Sequence, residues 1–246
     1  MKKSIIVLCF SLSLTTSAIA EHAHWGYQGD HAPENWGKMA NAQTCTTGKN
    51  QSPIDIFASK TNQKLPKLKF NYRHATIKQI VDNGHTLQFN FDPNSGLTYN
   101  NKTYTLVQFH AHKAAEHTIN GVRYPLELHF VHQAADHSKL VVAVFVQEGK
   151  ANLYFEKLAA FKKLARNSSE NTNILFNPEH LYPHKHNYYR YAGSLTTPPC
   201  SEPVTWILFR QPITLPKAEI EAISYYLPKN NYRPVQPLNN RIIENN

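Results

Sequence analysis

Short alternating or continuous apolar runs, separated by turn signals, dominate the chain. Residues 75–81, 86–91, 103–112, 126–132, 140–147 and 204–209 each have the length and the β-branched or aromatic content of a strand. Asn83-Gly84, Asp92-Pro93-Asn94, Asn120-Gly121 and Glu148-Gly149 punctuate them at hairpin-like intervals. Helical spacing is confined to residues 153–164 and to residues 216–225, which open on a proline. No internal repeat, Ser/Gly linker or shift in composition marks a second unit. The pattern predicts a mainly β, α+β single domain with helices as accessories.

Composition narrows this further. With 246 residues, 41% hydrophobic and 17% charged, the chain can bury a sizeable core, which excludes disordered and collagen-like classes. Lys and Arg outnumber Asp and Glu, 26 to 17, for a formal charge of +9. The basic residues are scattered singly or in pairs such as Lys162-Lys163, without a nucleic-acid-binding motif, so no nucleic-acid partner is expected.

Residues 1–20 have the form of a cleaved signal peptide. Lys2 and Lys3 precede a short apolar stretch diluted by Ser and Thr, and Ala18-Ile19-Ala20 provides the small-residue cleavage site. The stretch is too short for a spanning helix, so the expected mature chain, 21–246, has no transmembrane segment and is periplasmic or secreted. Cys9 leaves with the signal. Cys45 and Cys200 remain, an even pair bound for an oxidising compartment, and are expected to form a disulfide. In the chain-entropy model such a long loop contributes about 5 kcal/mol.

Fourteen His residues raise the question of which ones meet. In a strand over 108–112, Gln108, His110 and His112 share one face, while Phe109 and Ala111 take the other. In a strand over 127–132, Glu127, His129 and Val131 share a face opposite to Leu128, Phe130 and His132. With the Asn120-Gly121 turn between the two strands, His129 can complete a three-imidazole set and His132 cannot. Three His plus water is a catalytic zinc arrangement, but the same pattern also describes a half-buried core face. The pairs His22-x-His24 and His184-x-His186 lie where no strand fixes their faces and are expected to be solvated; His117 is expected to be structural.

Gln108 to His112, followed by Ala115-Glu116-His117-Thr118 and Glu127-Leu128-His129-Phe130-Val131-His132, resembles the signature of the α-class carbonic anhydrases. His24-Trp25-Gly26-Tyr27, Asn50-Gln51-Ser52-Pro53-Ile54-Asp55-Ile56, Asp82-Asn83-Gly84-His85, Tyr191 to Pro199 and Asn231-Tyr232-Arg233-Pro234 resemble further landmarks, in the family's order. Ala111 and Lys113 stand where animal members carry larger aromatics. The segment between His112 and Glu116 is short, as in exported bacterial members.

The resemblance implies a large, twisted, mostly antiparallel central sheet with zinc in a conical cavity, and reversible hydration of carbon dioxide to bicarbonate and a proton. It implies one Zn2+ per chain on His110, His112 and His129, which lowers the pKa of bound water to about 7 and supplies hydroxide. Gln108, Glu127 and the carbonyl of Asn231 would orient those imidazoles. Glu116 and Thr196 match the pair that aims the nucleophile. Val131, Val141, Leu195, Thr197, Val204 and Trp206 match the substrate pocket, and His85 matches the proton shuttle, with Tyr27, Asn83 and Gln88 ordering water. Cis peptides are implied at Ser52-Pro53 and Pro198-Pro199. The implied partners are carbon dioxide and bicarbonate, with the chain acting as a monomer or homodimer. A silent binding relative would lack zinc ligands, and a general zinc hydrolase would show substrate-binding Arg or Ser groups beside them; the sequence has the first and lacks the second.

Overall fold

The computed structural model describes residues 25–156, 158, 164–225 and 227–246. The expected signal segment 1–20, His22, His24, Lys162-Lys163 and much of the second half of the helix expected over 153–164 lie outside the described residues. No helix among the described residues is long and apolar enough to cross a membrane.

One 13-stranded sheet organises the described residues. Its continuous order runs from the edge strand Ser169–Leu175 through Thr76–Asp82, Leu87–Phe91, Lys102–His112, Leu126–Gln133, Lys139–Glu148, Val204–Phe209 and Tyr188–Gly193 to Glu244–Asn245 and Lys60–Thr61. Most pairs are antiparallel; Lys139–Glu148 runs parallel to both Val204–Phe209 and Ile213–Leu215. All six strands expected from the pattern are present, within one residue at each end. Of the two expected helices, Lys217–Tyr225 forms, and Leu153–Glu156 is the helical part of the other among the described residues.

The Asn120-Gly121 turn lies between the two strands as expected, and also closes a hairpin of its own. Asn120 and Gly121 take φ of 51° and 75°, the left-handed pair that a tight hairpin requires. The hairpin they close, however, joins Thr118–Ile119 to Val122–Arg123, in a separate three-stranded sheet with Asp55–Ile56. The chain therefore leaves the large sheet after His112, makes this excursion and returns at Leu126 to pair antiparallel with the strand it left.

Two apolar clusters cover the two faces of the sheet. Phe109, Ala111, Leu128, Phe130, Val142, Val144 and Val146 belong to the larger one, and Val141, Ala143, Phe145, Val204, Trp206 and Leu208 to the other. Lys139–Glu148 is buried from Leu140 to Val146 because both of its faces are covered, which explains its continuous apolar run. Cys45 and Cys200 are bonded, joining the short helix Thr44–Thr47 to the loop that carries Thr196 and Thr197. The peptides before Pro53 and Pro199 are cis, as are those before Ala114 and Pro203.

Candidate metal centre

Antiparallel register places His129 directly opposite His110, with Glu127 opposite His112. The alternation of side chains then gathers His110, His112 and His129 on one face, where their ligand nitrogens lie within 4.8 Å of one another. His112 and His129 are each 1% exposed. Burial pushes the His110 imidazole well below its ordinary range, and its two histidine neighbours push it further. His112 is also lowered, chiefly by burial. Neutral imidazoles are the form that binds a metal.

Each ring is oriented by an oxygen that can only accept. His110 Nδ1 donates to Gln108 Oε1 at 2.7 Å, His112 Nδ1 to the carbonyl of Asn231 at 2.6 Å, and His129 Nε2 to Glu127 Oε1 at 2.8 Å. The lone pairs left over are on His110 Nε2, His112 Nε2 and His129 Nδ1. The first two are 3.0 Å apart, so two lone pairs face each other, an arrangement that a cation relieves. Beside them, the buried Glu116 Oε2 has no hydrogen-bond partner and lies 3.6 Å from His112 Nε2 and 3.9 Å from His129 Nδ1. A donor set of three oriented imidazoles fits zinc.

Glu127 also ties the centre to the loop beyond it. Its burial favours the protonated acid, but the neighbouring His117 and His129 outweigh this and hold it well below the usual carboxylate range. His117 donates to it from both Nδ1, at 2.7 Å, and the backbone N–H, at 2.9 Å. His117 Nε2 then accepts from the Tyr191 hydroxyl at 2.7 Å, and Tyr191 contacts Ser52 Oγ at 2.7 Å. His117 is thus a fully buried link, in keeping with a structural role.

The remaining expected residues fall into three groups. Val141, Val204 and Trp206 are buried in one cluster, against which Val131 and Leu195 pack; the Trp206 ring lies 5.0 Å from that of His129. Thr196 is buried and Thr197 half-buried in the loop tied down by Cys200. Here the structure departs from one implied contact, because Glu116 does not bond Thr196: Oε1 is turned to the backbone N–H of Arg233, at 2.8 Å, and Oε2 faces the imidazoles. His85 stands apart from the three-imidazole group on its turn, stacked on Trp25 with ring centroids 3.7 Å apart and edge-on to Tyr27. Asn83 Oδ1 caps that turn, and Gln88 Nε2 donates to Asn90. Asn231 links turn and centre, since its side chain donates to the carbonyl of His85 at 3.1 Å while its own carbonyl holds His112. His184 and His186 are exposed and outside the centre.

Arg233 had no assigned role in the sequence. Its guanidinium is buried and donates to Gln51 Oε1, to the carbonyl of Ser52 and to the carbonyl of Cys45, while its N–H holds Glu116. The only hint was an Arg within a landmark motif; nothing in periodicity places it beside a residue 117 positions away.

A broad twisted sheet presenting three oriented imidazoles, with a carboxylate and an apolar wall beside them, defines a group that could hold a metal ion. The comparisons with known proteins agree. Residues 31–246 match the family model for eukaryotic-type carbonic anhydrases, and the chain belongs to that family. It is 41% identical to a carbonic anhydrase of Pectobacterium carotovorum, over 97% of this chain and 96% of that protein. It is 38% identical to a carbonic anhydrase of Neisseria gonorrhoeae, over 97% and 94%. The solved α-carbonic anhydrase of Thermovibrio ammonificans, in complex with the inhibitor sulfanilamide, superposes with a TM-score of 0.85 at 38% identity, covering 90% of this chain and 98% of that one.

Proposed function

We propose that this chain hydrates carbon dioxide reversibly to bicarbonate and a proton, with one zinc ion held by His110 Nε2, His112 Nε2 and His129 Nδ1. The observation that carries this reading is the set of three oxygen acceptors, which leaves one lone pair on each imidazole, on nitrogens that lie within 4.8 Å of one another. Zinc bound there supplies a strong nucleophile at neutral pH by lowering the pKa of water to about 7.

The protein's own residues do the rest. Gln108, Glu127 and the Asn231 carbonyl fix the tautomers and raise the basicity of the ligands. During turnover Glu116 Oε2, which has no hydrogen-bond partner in this structure, accepts a hydrogen bond from the Thr196 hydroxyl. The Thr196 oxygen is left as an acceptor that aims the attacking oxygen at carbon. Carbon dioxide carries no charge, and its waiting place is the apolar wall of Val131, Val141, Leu195, Val204 and Trp206, with Thr197 at its edge. His85 supplies an imidazole, the side-chain type suited to exchanging protons near neutral pH, and carries the product proton outward. Tyr27, Asn83 and Gln88 order the water between. The chain acts outside the cytoplasm, after removal of residues 1–20, as a monomer or homodimer of the 21–246 domain; the Cys45–Cys200 disulfide supports that compartment.

Stopped-flow carbon dioxide hydration with a pH indicator, on protein of known zinc content, tests this. Fast acidification that disappears on chelation and returns with zinc is expected. A zinc-loaded protein with no rate above buffer overturns it.

A further inference from the structure

Glu116 is held at its carboxylate by the Arg233 N–H, but its backbone sits in a bend between the large sheet and the small one, in neither ladder. Arg123, in the strand Val122–Arg123 of the small sheet, closes that bend. Its guanidinium Nη1 donates to the carbonyl of Ala115 and, at 3.1 Å, to the carbonyl of Glu116 itself. The Ala115 N–H in turn donates to the carbonyl of Tyr124 at 3.0 Å, so the hairpin grips the bend from both sides. The same guanidinium lies over the ring of Tyr232, 4.4 Å from its centroid.

Tyr232 lies between the two residues that matter most in that segment. Asn231 holds His112 through its carbonyl and the backbone N–H of Lys113 through its side chain; Arg233 holds Glu116 Oε1. Arg123 therefore bridges the segment carrying Glu116 and the segment that orients both Glu116 and His112. A guanidinium combines a flat face that stacks on a ring with in-plane N–H donors, whereas a lysine ammonium is a compact point charge without such a face.

We infer that Arg123 is a positioning residue for the hydration reaction, clamping residues 115–116 against residues 231–233 so that Glu116 keeps its carboxylate at the centre. This inference rests on the role proposed above for Glu116. Arg123 touches neither substrate nor zinc, and its effect runs through geometry, where misplacement of a reacting group by about 1 Å costs as much as 100-fold in rate.

The test compares Arg123→Ala, Arg123→Lys, Glu116→Gln and the double variant Arg123→Ala/Glu116→Gln, all zinc-loaded, by stopped-flow hydration and zinc analysis. Arg123→Ala is expected to lower kcat about tenfold with KM and zinc content unchanged, and Arg123→Lys to recover part of the loss. Tyr232→Leu is expected to lower kcat as well, and Tyr232→Phe, which restores the ring face, to recover it. The double variant should be no slower than Glu116→Gln alone, because both act through one group. A readout independent of turnover is amide hydrogen exchange at Arg233 in zinc-free protein, which should quicken in Arg123→Ala. Wild-type kcat in Arg123→Ala, or a loss that only tracks lost zinc, overturns the inference while leaving Glu116 in place. Wild-type kcat in Glu116→Gln overturns the role of Glu116, and this inference with it.

Discussion

His129 and His132 lie on one strand and point to opposite faces of the sheet, and their surroundings could hardly differ more. His129 gives one nitrogen to a buried carboxylate and keeps the other free beside two more imidazoles. His132 is 0% exposed in the larger apolar cluster, with Nε2 on the Tyr72 hydroxyl at 2.6 Å and no hydrogen-bond partner for Nδ1. The Tyr72 ring lies 5.9 Å from it, Tyr182 packs edge-on against Tyr72, and Phe109 and Phe130 stack on one another in the same cluster. Both side chains are buried, so burial does not distinguish a ligand from a packing residue. What distinguishes them is whether an acceptor fixes one nitrogen while the other is left facing further donors.

Two substitutions should break the symmetry of this pair completely. His129→Ala is expected to reduce zinc-dependent hydration to background and to lose its metal on dialysis, because two imidazoles cannot replace three. His132→Leu is expected to keep full zinc content and turnover and to cost on the order of 1–2 kcal/mol in stability, since it removes a hydrogen bond from a buried hydroxyl. Metal analysis, stopped-flow rates and urea unfolding on both variants decide the matter. Loss of zinc in His132→Leu would refute the division of the strand into a ligand face and a packing face.

The next largest effect concerns the acceptor rather than the ligand. Glu127→Gln keeps the shape of the side chain but exchanges an ionised acceptor for a neutral amide beneath His129 and His117. Zinc affinity is expected to fall by about 10–100-fold, measured by competition with a chelator. An unchanged affinity would show that the acceptor is decorative.

The contrast between the two faces was legible in the sequence, because period-two alternation needs only local information. Gln108, His110 and His112, with Glu127, His129 and Val131, were separable from Phe109, Leu128, Phe130 and His132 by counting. What closes the centre was not. Asn231 reaches His112 across 119 positions, and Arg233 reaches Glu116 across 117, through loop backbone that carries no periodicity. Asn231 was found through a family resemblance alone; Arg123 was found only from its contacts. The Asn120-Gly121 turn was legible as local chemistry, and the strands on either side of it do pair in one sheet, but the hairpin it closes belongs to a separate small sheet, since a tight turn specifies the hairpin it closes and not the sheet that hairpin joins. The edge strand Ser169–Leu175 escaped for another reason. Both of its faces are largely exposed, so no apolar alternation was selected along Ser-Glu-Asn-Thr-Asn-Ile-Leu.

The smallest effect sharpens the comparison by titration. Burial lowers the His132 imidazole to about 3, despite the opposing pull of the Phe130 and Leu140 carbonyls. An unfolded chain protonates this residue near its ordinary value of about 6.5, so between those limits the unfolded state binds a proton that the folded state refuses. Stability is therefore lost as pH falls from about 6.5 toward 3, by at most about 1.4 kcal/mol per pH unit for this one group. Other groups contribute to the acid limb of the wild type, but they are shared with His132→Leu and cancel in the difference between the two proteins. Urea unfolding of both zinc-loaded proteins at several pH values from 6.5 to 4.5 should give a steeper decline for the wild type, with the His132→Leu deficit shrinking or reversing toward the acid end. Parallel declines would mean that the packing face opens to admit a proton before the protein unfolds, and that the two faces differ less in rigidity than their contacts imply.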